Sequence, residues 1–273
     1  MALYDIIDEI TSRQITKSDT GDPRVQGVVV GIVAKNYSKD MPGRICVTIP
    51  TRETEANELQ WVRMAQPSGG KKWGHYFLPE IGDQVLLAFE NGNIEKPYVI
   101  GCIQKDNDQF LSKSVDADNQ IKHIMTKNGN ELRFEDNKEG EGEKDKITLT
   151  TPAKGDKQHM LKLDNENSRI ELTDKKGENS IKMRTEDGVI DIKAKSKLTI
   201  KVGDKIKLTM NGESGAVTLE CSELKVKSSG SVNIKSDGML KQEAAQMSTS
   251  ASSVYKLESG GTVIVSGNPI KIG

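Results

Sequence analysis

From about residue 119 to residue 273 the chain repeats one small unit: two or three apolar residues spaced by polar ones, followed by a turn. Examples are Ile147-Thr-Leu149, Leu161-Lys-Leu163, Ile170-Glu-Leu172, Ile181-Lys-Met183, Ile190-Asp-Ile192 and Leu198-Thr-Ile200. The series continues through Ile206-Lys-Leu208-Thr-Met210, Val217-Thr-Leu219-Glu-Cys221, Leu224-Lys-Val226, Val232-Asn-Ile234, Val263-Ile-Val265 and Ile270-Lys-Ile272. Successive starts are typically seven to eleven residues apart, with several steps of eight. Alternation with period two gives each strand one apolar and one wet face. Strands this short are not stable as isolated hairpins, and a fixed short period marks a stacked, repetitive architecture.

Composition narrows what that stack is. Hydrophobic residues make up 34% of the 273 and aromatics only 4%, low for a globular chain of this length. Ile, Leu and Val suit a narrow core on an axis where three copies meet, whereas a broad two-sheet sandwich needs more bulk. Two stretches break the rhythm. Residues 136–146 are charged and Gly-containing and read as an outward loop, and 239–253, rich in Ala, Ser and Gln, is only weakly patterned.

Residues 24–105 read differently. Runs at 25–34, 44–49, 59–65, 84–90 and 98–103 are rich in β-branched residues and punctuated by Gly, Pro, Asn and Asp, the pattern of short strands. Asn91-Gly92 marks a tight hairpin. Five short strands in this span fit a small Greek-key barrel such as an OB-fold, although another small barrel is open on pattern alone. Ahead of it, Leu3, Ile6, Ile7 and Ile10 share one helical face. Residues 1–23 are therefore read as a short amphipathic helix and linker, either a docking arm for a hub protein or a helix folded back on the barrel. The remaining divisions are a linker at 106–120 and a spike at 121–273.

Several functions are disfavoured. The formal net charge is −1 with both signs interspersed, which argues against a nucleic-acid partner. An OB protein that binds nucleic acid needs a basic, aromatic-lined groove; here Trp61, Trp73, Tyr76 and Phe77 read as loop and core residues. Cys46, Cys102 and Cys221 lack metal-site spacing and read as buried or half-buried thiols. Glu80 and Asp83 have no nucleophile or histidine beside them in sequence, so no catalytic residue is expected. Neither a cofactor nor a metal site is expected, and the chain reads as a non-enzyme. A β-helical carbohydrate enzyme would carry an acidic cluster repeated on one face. No signal peptide or membrane span is recognised, which places assembly in the cytoplasm.

The barrel segment resembles the phage baseplate assembly protein V family and the matching barrel of VgrG-type spikes. The resemblance is carried by Gly27-Val-Val-Val-Gly31-Ile-Val, Gly43-Arg-Ile-Cys-Val47, Trp61-Val-Arg63 and Pro79-Glu80-Ile-Gly82-Asp83-Gln-Val85, followed by Phe89-Glu-Asn-Gly92 and Pro97-Tyr-Val-Ile-Gly101. The C-terminal repeats resemble the needle that follows this barrel in the family. The resemblance implies an all-β homotrimer: an OB-type barrel followed by an intertwined three-chain β-helix. It implies the central, membrane-puncturing spike of a contractile injection system or phage-tail-like particle. The spike would sit on a separate hub protein through Leu3, Ile6, Ile7 and Ile10, among baseplate proteins, and touch a target envelope transiently. His75, His123 and His159 form no His-x-His tip. A PAAR-repeat-like tip protein is therefore expected on Val263, Val265, Ile270, Ile272 and Gly273, unless 260–273 folds over the end itself. A trimeric β-helical adhesin is the alternative, and it would need a receptor-binding head.

Overall fold

The computed structural model describes residues 24–51, 58–105, 108–152 and 157–271. The segments 1–23, 52–57, 106–107, 153–156 and 272–273 lie outside the described residues, and with them the N-terminal apolar stripe Leu3, Ile6, Ile7 and Ile10, together with Ile272 and Gly273.

The first of two compact units, 1–198 with 211–215, contains the barrel. Its strands are β1 (Val29–Lys35), β2 (Arg44–Thr48), β3 (Glu58–Met64), β4 (Gln84–Phe89) and β5 (Pro97–Ile103). They close in the order β1-β2-β3-β5-β4, antiparallel except where β3 meets β5. Alternate positions face inward, so Ile45, Val47 and Ile49 join Val33, Val62, Val85, Leu87 and Val99 in one core, each at most 2% exposed. Bulges at Val33/Lys35, Ile45/Val47 and Leu86/Leu87 bend the strands enough to close so small a barrel. Gly31 stands where β1 runs tightest over the core: a Cβ there would lie 2.3 Å from Val47 Cγ1 and 2.9 Å from Leu87 Cδ1.

A short helix, α1 (Gln109–Ser114), follows in the segment expected to be linker. Seven strands come next: β6 (Ile121–Met125), β7 (Glu131–Glu135), β8 (Lys146–Thr150), β9 (Met160–Asp164), β10 (Arg169–Thr173), β11 (Ser180–Arg184) and β12 (Val189–Lys193). Each pairs antiparallel with the next in one meander. The backbone ladder of 121–193 thus closes within one chain. The charged 136–145 loop is tied by Asn137 N–H donating to Asp145 Oδ1 at 2.8 Å and by a 2.8 Å Lys144–Glu139 ion pair.

The second unit comprises 199–210 and 216–273. Most of a three-stranded sheet belongs to it, formed by β13 (Lys197–Val202), β14 (Ile206–Asn211) and β15 (Ala216–Glu220) in that order. From 221 to 271 no described residue is in a strand. The repeats expected as strands at 224–226, 232–234 and 263–265, and the described residues 270–271 of the last, therefore have no ladder within a single chain. Their turns nevertheless keep step. Gly230 N–H donates to Ser228 Oγ at 3.2 Å, and Gly238 N–H donates to Ser236 Oγ at 3.3 Å, eight residues later.

Among the described residues the architecture is all-β apart from α1 and one 3-10 turn, with a closed OB-type barrel and repetitive sheets after it in the chain. Two cysteine expectations hold and one does not. Cys46 is buried and Cys221 half-buried, but Cys102 is exposed, although it pairs in register with the buried Val85. Partial burial and the Asp83 charge push its thiol pKa up.

Candidate assembly surface

Strand register builds the surface. Across β7–β12 the opposed residues Phe134, Ile147, Leu163, Ile170, Met183 and Ile190 form one apolar row. Two residues along each strand, Ile124, Leu132, Leu149, Leu161, Leu172, Ile181 and Ile192 form a second row, beginning on β6. Both rows lie on one face because side chains alternate. This face is uncovered in the single chain: Phe134 is 36% exposed and Ile190 63%. A groove on it is lined by Leu172, Ile181, Ile192 and Leu198.

The opposite face is polar yet better covered. Its central row reads His123, Arg133, Thr148, Lys162, Glu171, Lys182 and Asp191. Long charged side chains lie along it and pair across strands: Lys182 meets Glu171 at 3.2 Å and Arg184 meets Asp191 at 3.6 Å. Asp164, at the end of β9, is 2% exposed. Burial pushes its carboxyl pKa up, but hydrogen bonds from Lys162 at 2.8 Å and from Asn167 outweigh this and leave it lowered to about 2. Polar residues therefore cover one another while the aliphatic rows face outward, the reverse of what water favours for a finished surface.

In the barrel, the motif residues are turn-builders. Gly82 adopts φ +93°, a conformation natural to glycine. Its N–H donates to Val33 O at 2.9 Å, and Val33 N–H donates to Asp83 O at 3.0 Å. Asp83 Oδ2 accepts from Glu80 N–H at 2.8 Å, and Pro79 O accepts from Asn36 Nδ2 at 3.1 Å. Glu80 Oε2 accepts from Lys127 Nζ of the β6–β7 turn at 2.9 Å. Gly101 sits opposite Leu86 beside the β4–β5 bulge. Both carboxylates are occupied in structural bonds. Among the described residues no group of three or more His, Cys, Asp or Glu is placed to hold a metal ion. No described helix is long and apolar enough to cross a membrane. Trp61 is half-buried on β3, while Trp73, Tyr76 and Phe77 lie exposed in the β3–β4 loop rather than in the core.

Of the residues expected at the tip, Val263, Val265 and Ile270 are described and at least half exposed. The covered polar ladder of β6–β12 was not anticipated from sequence, and neither was the stacking of Phe110 on His123. Both depend on which strands become neighbours.

A closed five-stranded barrel of this order is an OB-type domain, here followed by a meander with one bare apolar face. Residues 29–103 match the family model of the type VI secretion system/phage-baseplate injector OB domain. The chain is 35% identical over 86 residues to the type VI secretion system spike protein VgrG2a of Pseudomonas aeruginosa, an alignment covering 29% of this chain and 10% of that protein. It is 30% identical over 125 residues to VgrG1a of the same organism, covering 42% and 19%. With VgrG3 of Vibrio cholerae it shares 34% over 86 residues, covering 29% and 8%. The matched segments thus span a fifth or less of those relatives. The chain carries the injector OB domain of the phage-baseplate and VgrG-type spike proteins, as its barrel motifs indicated.

Proposed function

We propose that the chain is the homotrimeric central spike of a contractile injection system, with a mechanical rather than catalytic role. The observation that carries this is the shape of the uncovered face: two apolar rows on five-residue strands. A five-residue strand spans about 17 Å, and a triangular prism with sides of that length has its walls about 5 Å from the axis, within reach of Leu, Ile and Met. Three copies close such a prism with the charged rows outward. Each side chain is already about half covered, so closure contributes roughly 1 kcal/mol per residue, on the order of 10 kcal/mol per chain. In the same reading the strandless octads of 221–271 find their ladders between chains, as an intertwined three-chain β-helix, since unpaired backbone is costly to bury.

The similarity to spike proteins supports mounting of the barrel on a hub within a baseplate, cytoplasmic assembly, and transit with the particle into a target envelope. The exposed Val263, Val265 and Ile270 support a separate tip protein bound to the last repeats. Light scattering at micromolar concentration tests the central claim. Wild type should be a trimer, and Leu172→Asp, which sets three carboxylates in the prism, should not assemble. A folded monomer for wild type refutes it. For the tip, removal of 262–273 should abolish co-purification with a PAAR-type protein while leaving the barrel folded.

A further inference from the structure

The weakly patterned stretch 239–253 interrupts an otherwise regular winding. The backbone bends at 229–230, 237–238, 245–246, 252–253 and 260–261. Successive bends are thus eight residues apart except for one step of seven, from 245 to 252. Corners on either side are tied by the N–H of Gly230, Gly238 and Gly261, each donating to the serine Oγ two residues back. The short step instead starts from Ala244-Ala245-Gln246.

Three and five residues after a bend begins, the chain carries Val232 and Ile234 before this stretch, and Tyr255 and Leu257, then Val263 and Val265, after it. Within the stretch the same places fall to Leu240 and Gln242, then to Ser248 and Ser250. The apolar members of this set are 50–67% exposed in the single chain, whereas Met239, Val254 and Ile264, one residue out of step, are 74–85% exposed. The set therefore marks the better covered side of the winding, the side an axial core uses. Met247 keeps the eight-residue interval to Tyr255 and is 59% exposed, but its bend puts Ser248 on the set. Whichever of the two turns inward, the next inward place holds a hydroxyl, Thr249 or Ser250.

A run of equal coils is degenerate in register. If one of three chains loops out a coil while winding, its later coils still meet neighbours that carry Leu, Ile or Val in the same places, and the ladder still forms. Residues 239–253 remove this degeneracy. In register, three Gln242 carboxamides meet at one level of the axis. Each has a C=O and an NH2, so three can close a ring in which every NH2 donates to the next C=O, with a second N–H left for a hydroxyl of the following coil. Out of register by one coil, a Gln242 side chain is enclosed by aliphatic groups with its donors and acceptor unmatched, and its seven-residue coil lies against one of eight. An enclosed polar group without a partner costs more than a matched one contributes. Serine and threonine can turn to their own backbone, so the carboxamide carries the choice. We propose that 239–253 is the register pin of the needle: Gln242 recognises Gln242 of the other copies and fixes all three chains at one level. A single Asn at a core position plays this part in coiled coils. The proposal rests on the trimeric reading above and takes further copies of this chain as the partner.

Hydrogen exchange of the full-length protein, followed by mass spectrometry, reads the register. Chains in a single register give one isotope envelope for each peptide of 224–265, and registers that do not interconvert give two. Wild type should give one. Gln242→Leu, which continues the aliphatic axis, should stay trimeric in light scattering and give two. Ile234→Gln combined with Gln242→Leu moves the carboxamide layer by one coil and should restore one. A single envelope in Gln242→Leu, two envelopes in wild type or in the double variant, or loss of the trimer in Gln242→Leu would each overturn the pin while leaving a trimeric wild type standing. A monomeric wild type would overturn the trimeric reading, and the pin with it.

Discussion

Asp164→Asn removes one charge from the most enclosed carboxylate of the polar face and leaves its shape. In wild type the carboxylate takes Lys162 Nζ at 2.8 Å and the backbone and side-chain N–H groups of Asn167 at 3.0–3.1 Å, with Arg169 Nε at 3.9 Å. Asparagine can still accept from Asn167 with its one oxygen, but its NH2 then faces two cations. The magnitude follows from the lowered pKa. A carboxyl at about 2 in the fold, against about 3.9 in an unfolded chain, corresponds to roughly 2.5 kcal/mol per chain at neutral pH. Because the folded-state pKa is depressed, this contribution is fully present above the unfolded value and is lost as pH falls through about 2. Urea unfolding at fixed chain concentration, for wild type and variant, should show a gap of that size at pH 7 that narrows on acidification. Equal stabilities at pH 7, or a gap undiminished at the lowest pH reached, would refute the assignment of the charge as the source.

Gly31→Ala should destabilise the barrel by about 1–3 kcal/mol in thermal melts, since the new methyl overlaps Val47 and Leu87 in the core. Cys221→Asp, with Cys221 half-buried in one chain and on the same strand parity as Val217 and Leu219, should lower the melting temperature strongly if the proposed trimer gathers three carboxylates at its axis; an unchanged melt would place that residue toward solvent. Glu80→Gln, by contrast, breaks an ion pair whose partners are about half exposed or more, and should change stability by less than about 1 kcal/mol.

The barrel was legible from sequence because its signals are local. Each expected strand matches an observed one to within a few residues at its ends, and Gly82-Asp83 turns the chain where expected, because glycines, prolines and β-branched runs act over neighbouring residues. Asn91-Gly92 turns as well, but as a 3-10 turn with Asn91 at φ 52° and Gly92 at φ 73°. The helix α1 was missed because Gln109–Ser114 is short, has no capping side-chain bond and no apolar period to announce it. Its placement depends on Phe110 finding His123, a contact between residues thirteen positions apart.

The repeats show the limit of such reading most clearly. Alternation identified which face of each strand is apolar, yet says nothing about whether the neighbouring strand belongs to the same chain. The two halves of the repeat region answer differently. In 121–193 the turns bring successive strands back antiparallel, so the ladder is satisfied internally and only the apolar face is left bare. Beyond Glu220 the steps shorten to eight residues, with Ser-x-Gly turns at 228–230 and 236–238, and no described residue enters a ladder. The weakly patterned stretch at 239–253 keeps the same step: Met239, Met247, Tyr255 and Val263 are spaced by eight and all are exposed. A backbone turning in register without partners of its own, while presenting an apolar residue every eighth position, has met one half of the requirement for a β-helix. In the proposed trimer the other half, edge pairing, comes from another chain. On that reading the first half of the repeat region takes partners for its side chains, and the second half takes them for its backbone as well.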